Sequence, residues 1–307
     1  SHRDAERLKE CETSERPSSR GAMTASPMAA AESPNDVVGR GKQRVFVDYH
    51  SITMPTGKRI MKRVFTYSLI LGLLAICVAS MRGALMPKTL PGFRCDDPHI
   101  RHPFRGDTVT LTQILALVIV LPGPLLFLVE QWADGPVRWP LVRSALRHYV
   151  LGLELVSVAI EVVKSLVTKP RPHFLDSCRP DWDKLDCSQG LVTQYQCANE
   201  EAYALVDMYK SFPSGHSALG FYLFTFVAAY CAVRLPSLTS RWSRGGCRLL
   251  QLCLFVLACA CAASRIYDRR HHPVDVVTGG LLGVLGGLAT VRWFVSSSRH
   301  RIESKAQ

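Results

Sequence analysis

Six long apolar blocks divide the chain after residue 57. Each holds about 17 to 21 residues with few charges, close to the roughly 20 that an α-helix rising about 1.5 Å per residue needs to cross a bilayer. Runs of this length are more typical of membrane spans than of a soluble core. The pattern therefore predicts an all-α polytopic membrane protein with six transmembrane helices. The blocks are Val64–Met81, Thr110–Glu130, His148–Val167, Ser217–Leu235, Cys247–Ala263 and Asp275–Val295.

The same pattern predicts three regions. Residues 1–57 contain no long apolar run and bury too little surface to offset chain entropy, so we expect a disordered cytosolic tail. Residues 58–296 are predicted to form the six-helix membrane domain, and residues 297–307 a cytosolic C-terminal tail. No apolar core of a cleaved signal peptide follows the N-terminal charges, so we expect the first span to act as its own membrane signal.

Proline and glycine predict local features of two spans. Pro122 and Pro124 lie inside the second block, where each removes a backbone donor and favours a kink. The sixth block carries Gly279, Gly283 and Gly287 at four-residue spacing. This spacing places them on one helix face and allows a second helix to approach closely.

Charge and cysteine placement indicate orientation. The chain has 37 Lys and Arg against 25 Asp and Glu, a formal net charge of +12. The basic residues cluster beside the apolar blocks, where lipid headgroups are more plausible partners than nucleic acid. Their excess before the first span and in two short connections favours a cytosolic N-terminus by the positive-inside rule. Four cysteines would then face an oxidising compartment, and their three pairings stay open. They are Cys95, Cys178, Cys187 and Cys197.

Three polar clusters lie at the ends of predicted spans. Lys164–Pro172, reading KSLVTKPRP, closes the third span, and Pro213–His216, reading PSGH, precedes the fourth. Ser264–Asp275 connects the fifth span to the sixth. The ends of spans three and five and the starts of spans four and six must lie on one side of the membrane. All three clusters are therefore predicted to share one face, which would hold the active site.

These residue types suit a reaction of phosphate esters, which needs cations, hydrogen-bond donors, a nucleophile and an acid. Ser214 and the backbone N–H groups of Gly215 and His216 are predicted to form a donor nest at a helix start. An alternative for Lys164 is a purely structural ion pair with Glu161, three residues earlier on the same helix. The cations available to neutralise a phosphate are Lys164, Arg171 and Arg265.

Two histidines supply the remaining chemistry. His271 and Asp275 are four residues apart, so we expect Asp275 to hold one ring nitrogen of His271 and raise the nucleophilicity of the other. His216 is then the predicted proton donor to the departing alcohol. His271, His272 and Asp275 would also suit a metal ion, but three nearby cations would repel a divalent metal. No metal is predicted.

The three clusters together resemble the signature of the type 2 phosphatidic acid phosphatase superfamily. The pattern KxxxxxxRP fits Lys164–Pro172, PSGH fits Pro213–His216 and SRxxxxxHxxxD fits Ser264–Asp275, with every position filled. The six spans, the sequence HFL after Arg171-Pro172 and the doubled His271-His272 are most similar to the lipid phosphate phosphatases. The resemblance covers roughly residues 58–296.

This resemblance implies a metal-independent, cofactor-free phosphohydrolase that acts on lipid phosphate monoesters such as phosphatidate, lysophosphatidate or sphingoid-base phosphates, ending lipid signalling or supplying diacylglycerol. It implies a phosphohistidine on His271, with His216 acting first as acid and then as base. The expected partners are the lipid substrate and the bilayer, without nucleic acid. The substrate head would enter from outside at the plasma membrane, or from the lumen of an endomembrane.

Several alternatives stay open at this point. A phosphotransferase of the same superfamily would pass the phosphoryl group from His271 to an alcohol instead of water. A non-enzymatic six-span transporter or receptor would use the cations only to bind an anion, although binding alone has no use for the pair of His271 and Asp275. The sequence decides neither the preferred lipid nor whether the chain forms a homo-oligomer.

Overall fold

The computed structural model describes residues 56–306, so the predicted disordered tail lies outside the described residues except for its last two positions, which begin the first helix. The described part is mostly helical, as predicted. Its α-helices are α1 (Thr56–Met81), α2 (Leu111–Val120), α3 (Pro122–Trp132), α4 (Trp139–Val167), α5 (Phe174–Cys178), α6 (Ala202–Asp207), α7 (Gly215–Arg234), α8 (Arg241–Tyr267) and α9 (Pro273–Ala306).

Five helical segments of the described chain are long and apolar enough to cross a membrane. They lie in α1, in α2 with α3, in α7 with the turn after it, in α8 and in α9. The third predicted block lies in α4, a continuous helix of 29 residues that contains Glu154, Glu161 and Lys164. These charged residues make α4 more polar than the five apolar segments. The protein is thus a polytopic helical membrane protein, and the count of six spans stays a prediction.

The boundaries of two spans follow their local chemistry. The second span is interrupted at Leu121, so that Pro122 and Pro124 fall in the first turn of α3, where a missing N–H costs no intrahelical bond. The interruption falls where the sequence predicts a kink. The helix α9 continues to Ala306, beyond the predicted boundary at residue 296. Hydropathy predicts only the part of a helix that lies in lipid. The polar residues after 296 continue the backbone hydrogen bonding of α9, so the helix extends beyond the predicted span.

The connections after α1 and α4 pack together on the side of the three clusters. The strand β1 (Phe93–Arg94) pairs antiparallel with β2 (Leu191–Val192), with Phe93 opposite Val192. The disulfides Cys95–Cys187 and Cys178–Cys197 select one of the three pairings that the sequence left open. A small aromatic core lies beneath the strands, since the Phe93 ring centroid is 5.5 Å from that of Phe174 and 4.9 Å from that of Tyr195.

The helices α7 and α9 pack backbone to backbone. A Cβ atom at Gly279 would lie 2.2 Å from the carbonyl oxygen of Ser214, and one at Gly283 would lie 2.2 Å from that of Ala218. A Cβ at Gly287 would lie 2.9 Å from the Cβ of Thr225. The close approach of a second helix, predicted from the glycine spacing, is confirmed. The start of α9 lies directly against the start of α7.

Candidate active site

The end of α4 turns sharply before the first cluster continues. Thr168 caps α4 in the left-handed region, with φ of 45°, and its N–H donates to the carbonyl of Lys164. Pro170 and Pro172 then prevent a new helix from forming at once. The backbone N–H of Arg171 donates to the carbonyl of Met208 at 2.9 Å. This turn brings the first cluster against the segment that leads into α7.

Lys164 pairs with Glu161 and also reaches the start of α7. Its Nζ lies 2.7 Å from Oε1 of Glu161, so the ion pair is present. The same Nζ would be only 3.2 Å from a Cβ atom placed on Gly215, so it also reaches the start of α7. A second buried cation, Lys210, approaches Oε2 of Glu161 at 3.6 Å. Two ammonium groups thus share one carboxylate beside the donor nest.

Arg171 is buried and held on three sides. Its Nη2 donates to Oδ1 of Asp207 at 2.6 Å, and its Nε donates to the carbonyl of the same residue at 2.8 Å. Its Nη1 donates to the carbonyl of Arg270 at 2.9 Å and lies 3.4 Å from Nε2 of His271. The first and third clusters therefore meet at this contact.

The partner of His271 differs from the predicted one. Its Nδ1 lies 2.6 Å from the carbonyl oxygen of Ser211. The fully buried carboxylate of Asp275 instead accepts from Ser211 Oγ at 2.6 Å, from Lys169 Nζ at 2.6 Å and from the His272 N–H at 3.0 Å. The expected direct contact was wrong because α9 begins at Pro273. His271 precedes the helix, so the spacing of one helical face does not apply to it.

The environment of His271 favours a neutral ring whose Nε2 carries no proton. The carbonyl of Ser211 can only accept, which assigns the proton to Nδ1 and leaves Nε2 unprotonated. Burial lowers the pKa of His271 well below its usual value, and the charges of Arg171 and Lys164 lower it further, against a smaller opposing effect of the Ser211 contact. The charge of His216 acts in the same direction.

The second cluster forms the first turn of α7. Ser214 is the N-cap, and its Oγ accepts from the N–H of Ser217 at 3.5 Å and from the hydroxyl of Ser217 at 3.0 Å. The N–H of Ser214 donates to the carbonyl of Asp275 at 2.9 Å, which joins the second and third clusters. The Nε2 atom of His216 is buried and has no hydrogen-bond partner among the described residues. A buried nitrogen of this kind is costly unless a ligand completes its bonding.

Arg265 lies in a chain of alternating charges. Its Nη1 donates to Oδ1 of Asp107 and its Nη2 to Oδ2 of Asp268, both at 2.7 Å. Arg270 links the Arg265 group to the Arg171 group. Its Nε lies 3.1 Å from Asp107, and its Nη2 donates to Asp207 at 3.0 Å. Asp207 in turn holds Arg171. Burial raises the pKa of Asp207, but the charges of Arg171 and Arg270 outweigh this effect and hold that pKa below its usual range.

Sequence reasoning missed several members of this site. Asp268 lies only three residues after Arg265, so their closeness in the sequence could have indicated the pair. Lys169 and Arg270 lie inside the first and third clusters, and Lys210 and Ser211 stand just before the second, but the motif patterns give none of them a role. Asp107 and Asp207 reach the site from segments that are distant in the sequence. Among the described residues, no group of three or more His, Cys, Asp or Glu side chains is placed to hold a metal ion.

Comparisons with known proteins identify the family. Residues 145–299, which contain all three clusters, match the sequence profile of the PAP2 superfamily. Phospholipid phosphatase 2 of Mus musculus is 33% identical over 213 residues, covering 66% of this chain and 75% of the mouse protein. The Homo sapiens protein of the same name is 30% identical over 245 residues, covering 75% of this chain and 83% of that protein.

A Drosophila melanogaster protein named putative phosphatidate phosphatase is 29% identical over 272 residues, covering 79% of this chain and 71% of its own length. No solved structure matches the chain. The fold and motifs define an integral membrane phosphatase. The chain belongs to the PAP2 superfamily, and its relatives place it with the type 2 lipid phosphate phosphatases.

Proposed function

We propose that the protein hydrolyses lipid phosphate monoesters through a phosphohistidine on His271. The observation that carries this proposal is the setting of that ring, which is buried, places Nδ1 against the carbonyl of Ser211 and keeps Nε2 beside Arg171. The substrate class is phosphatidate, lysophosphatidate and sphingoid-base phosphates, because a site at the end of membrane helices suits a substrate whose tail stays in lipid.

In the first step, Nε2 of His271 attacks phosphorus and the bond from phosphorus to the lipid oxygen breaks. His216 donates a proton to that oxygen, so the lipid leaves as an alcohol. In the second step, His216 takes a proton from water while the water oxygen attacks phosphorus and the phosphorus–nitrogen bond breaks. Inorganic phosphate leaves and both histidines return to their starting states.

The phosphoryl oxygens would be held by the cations and the start of α7. We assign Lys164 and Arg171 as direct phosphate ligands, together with Ser214 and the backbone of Gly215 at the positive end of a helix of 20 residues. Arg265 is the third proposed cation, with Asp107 and Asp268 setting its position. Asp275 positions His271 through Ser211, rather than by direct contact.

The test is phosphate release by the purified full chain from a panel of lipid phosphates in excess EDTA. We expect activity to survive chelation, because the side chains supply the positive charge that Mg²⁺ supplies in many phosphatases. Loss of activity in EDTA with recovery on adding a divalent metal would overturn metal independence. Release from no lipid phosphate at all would overturn the proposed function.

The same assay separates hydrolysis from transfer. Adding an acceptor alcohol leaves the products of a hydrolase unchanged, whereas a phosphotransferase would convert the acceptor into a new phosphate ester. Product analysis with and without the acceptor therefore distinguishes the two. A protein that binds lipid phosphate without releasing phosphate would match the transporter or receptor alternative.

A further inference from the structure

An apolar groove of about 440 Å³ lies between α2, α7 and α8. The wall on α2 includes Ile114 and Leu117, and Gly220 and Leu223 of α7 form the floor. The far wall is the face of α8 that runs from Leu254 to Ser264. None of the roles assigned above uses this groove.

One end of the groove meets the proposed active site. Thr108, at that end, donates from its N–H and its hydroxyl to Asp268 at 2.8 and 2.6 Å. Ser264, also at that end, accepts from Nε of Arg265 at 3.1 Å. Cys261 in the wall contacts the carbonyl of His216 through Sγ at 3.9 Å. The groove therefore begins beside the backbone of His216, whose side chain is the proposed proton donor.

The groove has the depth of one lipid leaflet and opens sideways. Leu254 and Ser264 are ten residues apart on α8, or roughly 15 Å along a helix. This is half of the roughly 30 Å hydrocarbon core of a bilayer. Leu257 on the rim is 42% exposed, and Ala260 on the same rim is exposed. An aliphatic chain lying in the adjacent leaflet could enter without crossing a polar layer.

We propose that this groove binds an acyl chain of the lipid substrate, an inference that rests on the proposed function. His216 must reach the oxygen that leaves phosphorus, and the carbon skeleton of the lipid begins at that oxygen. A chain gains little hydrophobic free energy by moving from lipid into an apolar groove, because lipid tails are as apolar as leucine. The groove therefore acts by position, aligning the phosphate for attack by His271.

The experiment fills the groove and compares two substrates. The variants are Ala258→Leu in the wall and Ala260→Leu on the rim, and the matched control is Ala263→Leu, which adds the same volume at an exposed position of α8 outside the groove. Purified full chains are assayed for kcat/KM on a long-chain lysophosphatidate in detergent micelles and on 4-nitrophenyl phosphate, which has no chain.

A displacement of about 1 Å can cost about 10²-fold in rate. We therefore expect both groove variants to lose at least about tenfold on the lysophosphatidate, while keeping their aryl phosphate activity and leaving the control unchanged on both substrates. If Ala258→Leu fails to fold and loses both activities, the rim variant decides the matter. Unchanged long-chain turnover, or equal loss on both substrates in the rim variant, would overturn the groove assignment. A wild-type protein that hydrolyses the aryl phosphate but no lipid phosphate would instead overturn the proposed function.

Discussion

His271 is oriented by a neutral group rather than by a carboxylate. Its Nδ1 contacts the carbonyl of Ser211, whose hydroxyl donates to Asp275. A carboxylate in direct contact would favour the protonated imidazolium and raise its pKa. The carbonyl fixes the ring without adding a negative charge, and the adjacent cations keep the pKa low. The ring is therefore both oriented and neutral, with Nε2 unprotonated, as the proposed nucleophile requires.

The first prediction concerns pH. His271 must be neutral to attack, so its contribution to the rate falls as pH drops through its pKa, which lies well below the usual value. Arg171→Met removes a charge that lowers this pKa, so the acid limb should move to higher pH. The measurement is the ratio of variant to wild-type kcat/KM on one aryl phosphate, from neutral pH down to the most acid pH at which both proteins stay folded. Using one substrate cancels its own titration.

That ratio should fall steadily toward acid pH for Arg171→Met. The matched control is Arg143→Met, which removes an exposed arginine at the other end of α4, and its ratio should be flat. A flat ratio for Arg171→Met across the pH range in which wild-type activity itself declines would show that this charge does not act on the titrating group.

The second prediction separates the two histidines. His271→Ala removes the proposed acceptor of the phosphoryl group, so activity on phosphatidate and on an aryl phosphate should be lost equally. His216→Ala removes only the proposed proton donor; such a donor is typically worth about 10²–10⁴-fold and matters less when the leaving group is acidic. This variant should therefore retain relatively more activity on the aryl phosphate. Equal retention by both variants, or a trapped phosphoenzyme in His271→Ala, would contradict the assignment.

At this scale the sequence predicts residue types better than contacts. The motifs identified the residues that converge, as the contacts of Lys164 with Gly215 and of Arg171 with His271 show. The partner of His271 was beyond reach, because it is a backbone carbonyl 60 residues away. Asp207 was missed for the same reason, since its pairing with two arginines depends on how loops fold over one another.

Among the helices, the packing of α7 against α9 positions the site most directly. Gly279 lies against the carbonyl of Ser214, the residue that begins the donor nest. The backbone of Ser214 in turn donates to Asp275 in the first turn of α9. A displacement of α9 large enough to fit one methyl group at Gly279 would therefore move both the start of α7 at Ser214 and Asp275, which contacts Ser211.

The third prediction is that Gly279→Ala disrupts both stability and activity. A new Cβ would lie 2.2 Å from a backbone oxygen that has no freedom to rotate away, so we expect a cost of at least about 2 kcal/mol. The midpoint of thermal inactivation in detergent should fall by roughly 5 °C or more. The matched control is Gly72→Ala on α1, where nothing lies within 4 Å of the added atom. An unchanged midpoint for Gly279→Ala would show that α9 can retreat without cost.

Hydropathy predicted the long apolar helices. It did not predict the short strands and helices of the connections. All six apolar blocks lie in helices, and Pro122 marked the break between α2 and α3. The strands β1 and β2 and the short helices α5 and α6 left no periodic signal, because they contain two to six residues and are stabilised by disulfides and aromatic packing. The extension of α9 lacks the apolar character by which a span is recognised.

For the whole molecule, the site depends on three connections that are far apart in sequence. Asp107 comes from the connection before α2, Asp207 from the one before α7, and Arg270 from the one before α9. Two disulfides tie the first of these connections to the second and the second to itself. The site therefore requires that these connections lie on one side of the membrane, and from the disulfides we expect this to be the side where disulfides form.

The last prediction tests this topology. Pro136 and Asp183 are both exposed, and they lie in connections that the proposed topology puts on opposite sides of the membrane. Pro136→Cys and Asp183→Cys should therefore react with a membrane-impermeant maleimide from opposite sides of a sealed membrane. Asp183→Cys should react on intact cells, or from the lumen if the protein resides in an endomembrane, and Pro136→Cys only from the cytosol. The unmodified chain gives the background of its native cysteines. Labelling of both positions from one side would contradict an odd number of crossings between them, and a reversed pattern would place the site in the cytosol, where its two disulfides would not be expected to persist.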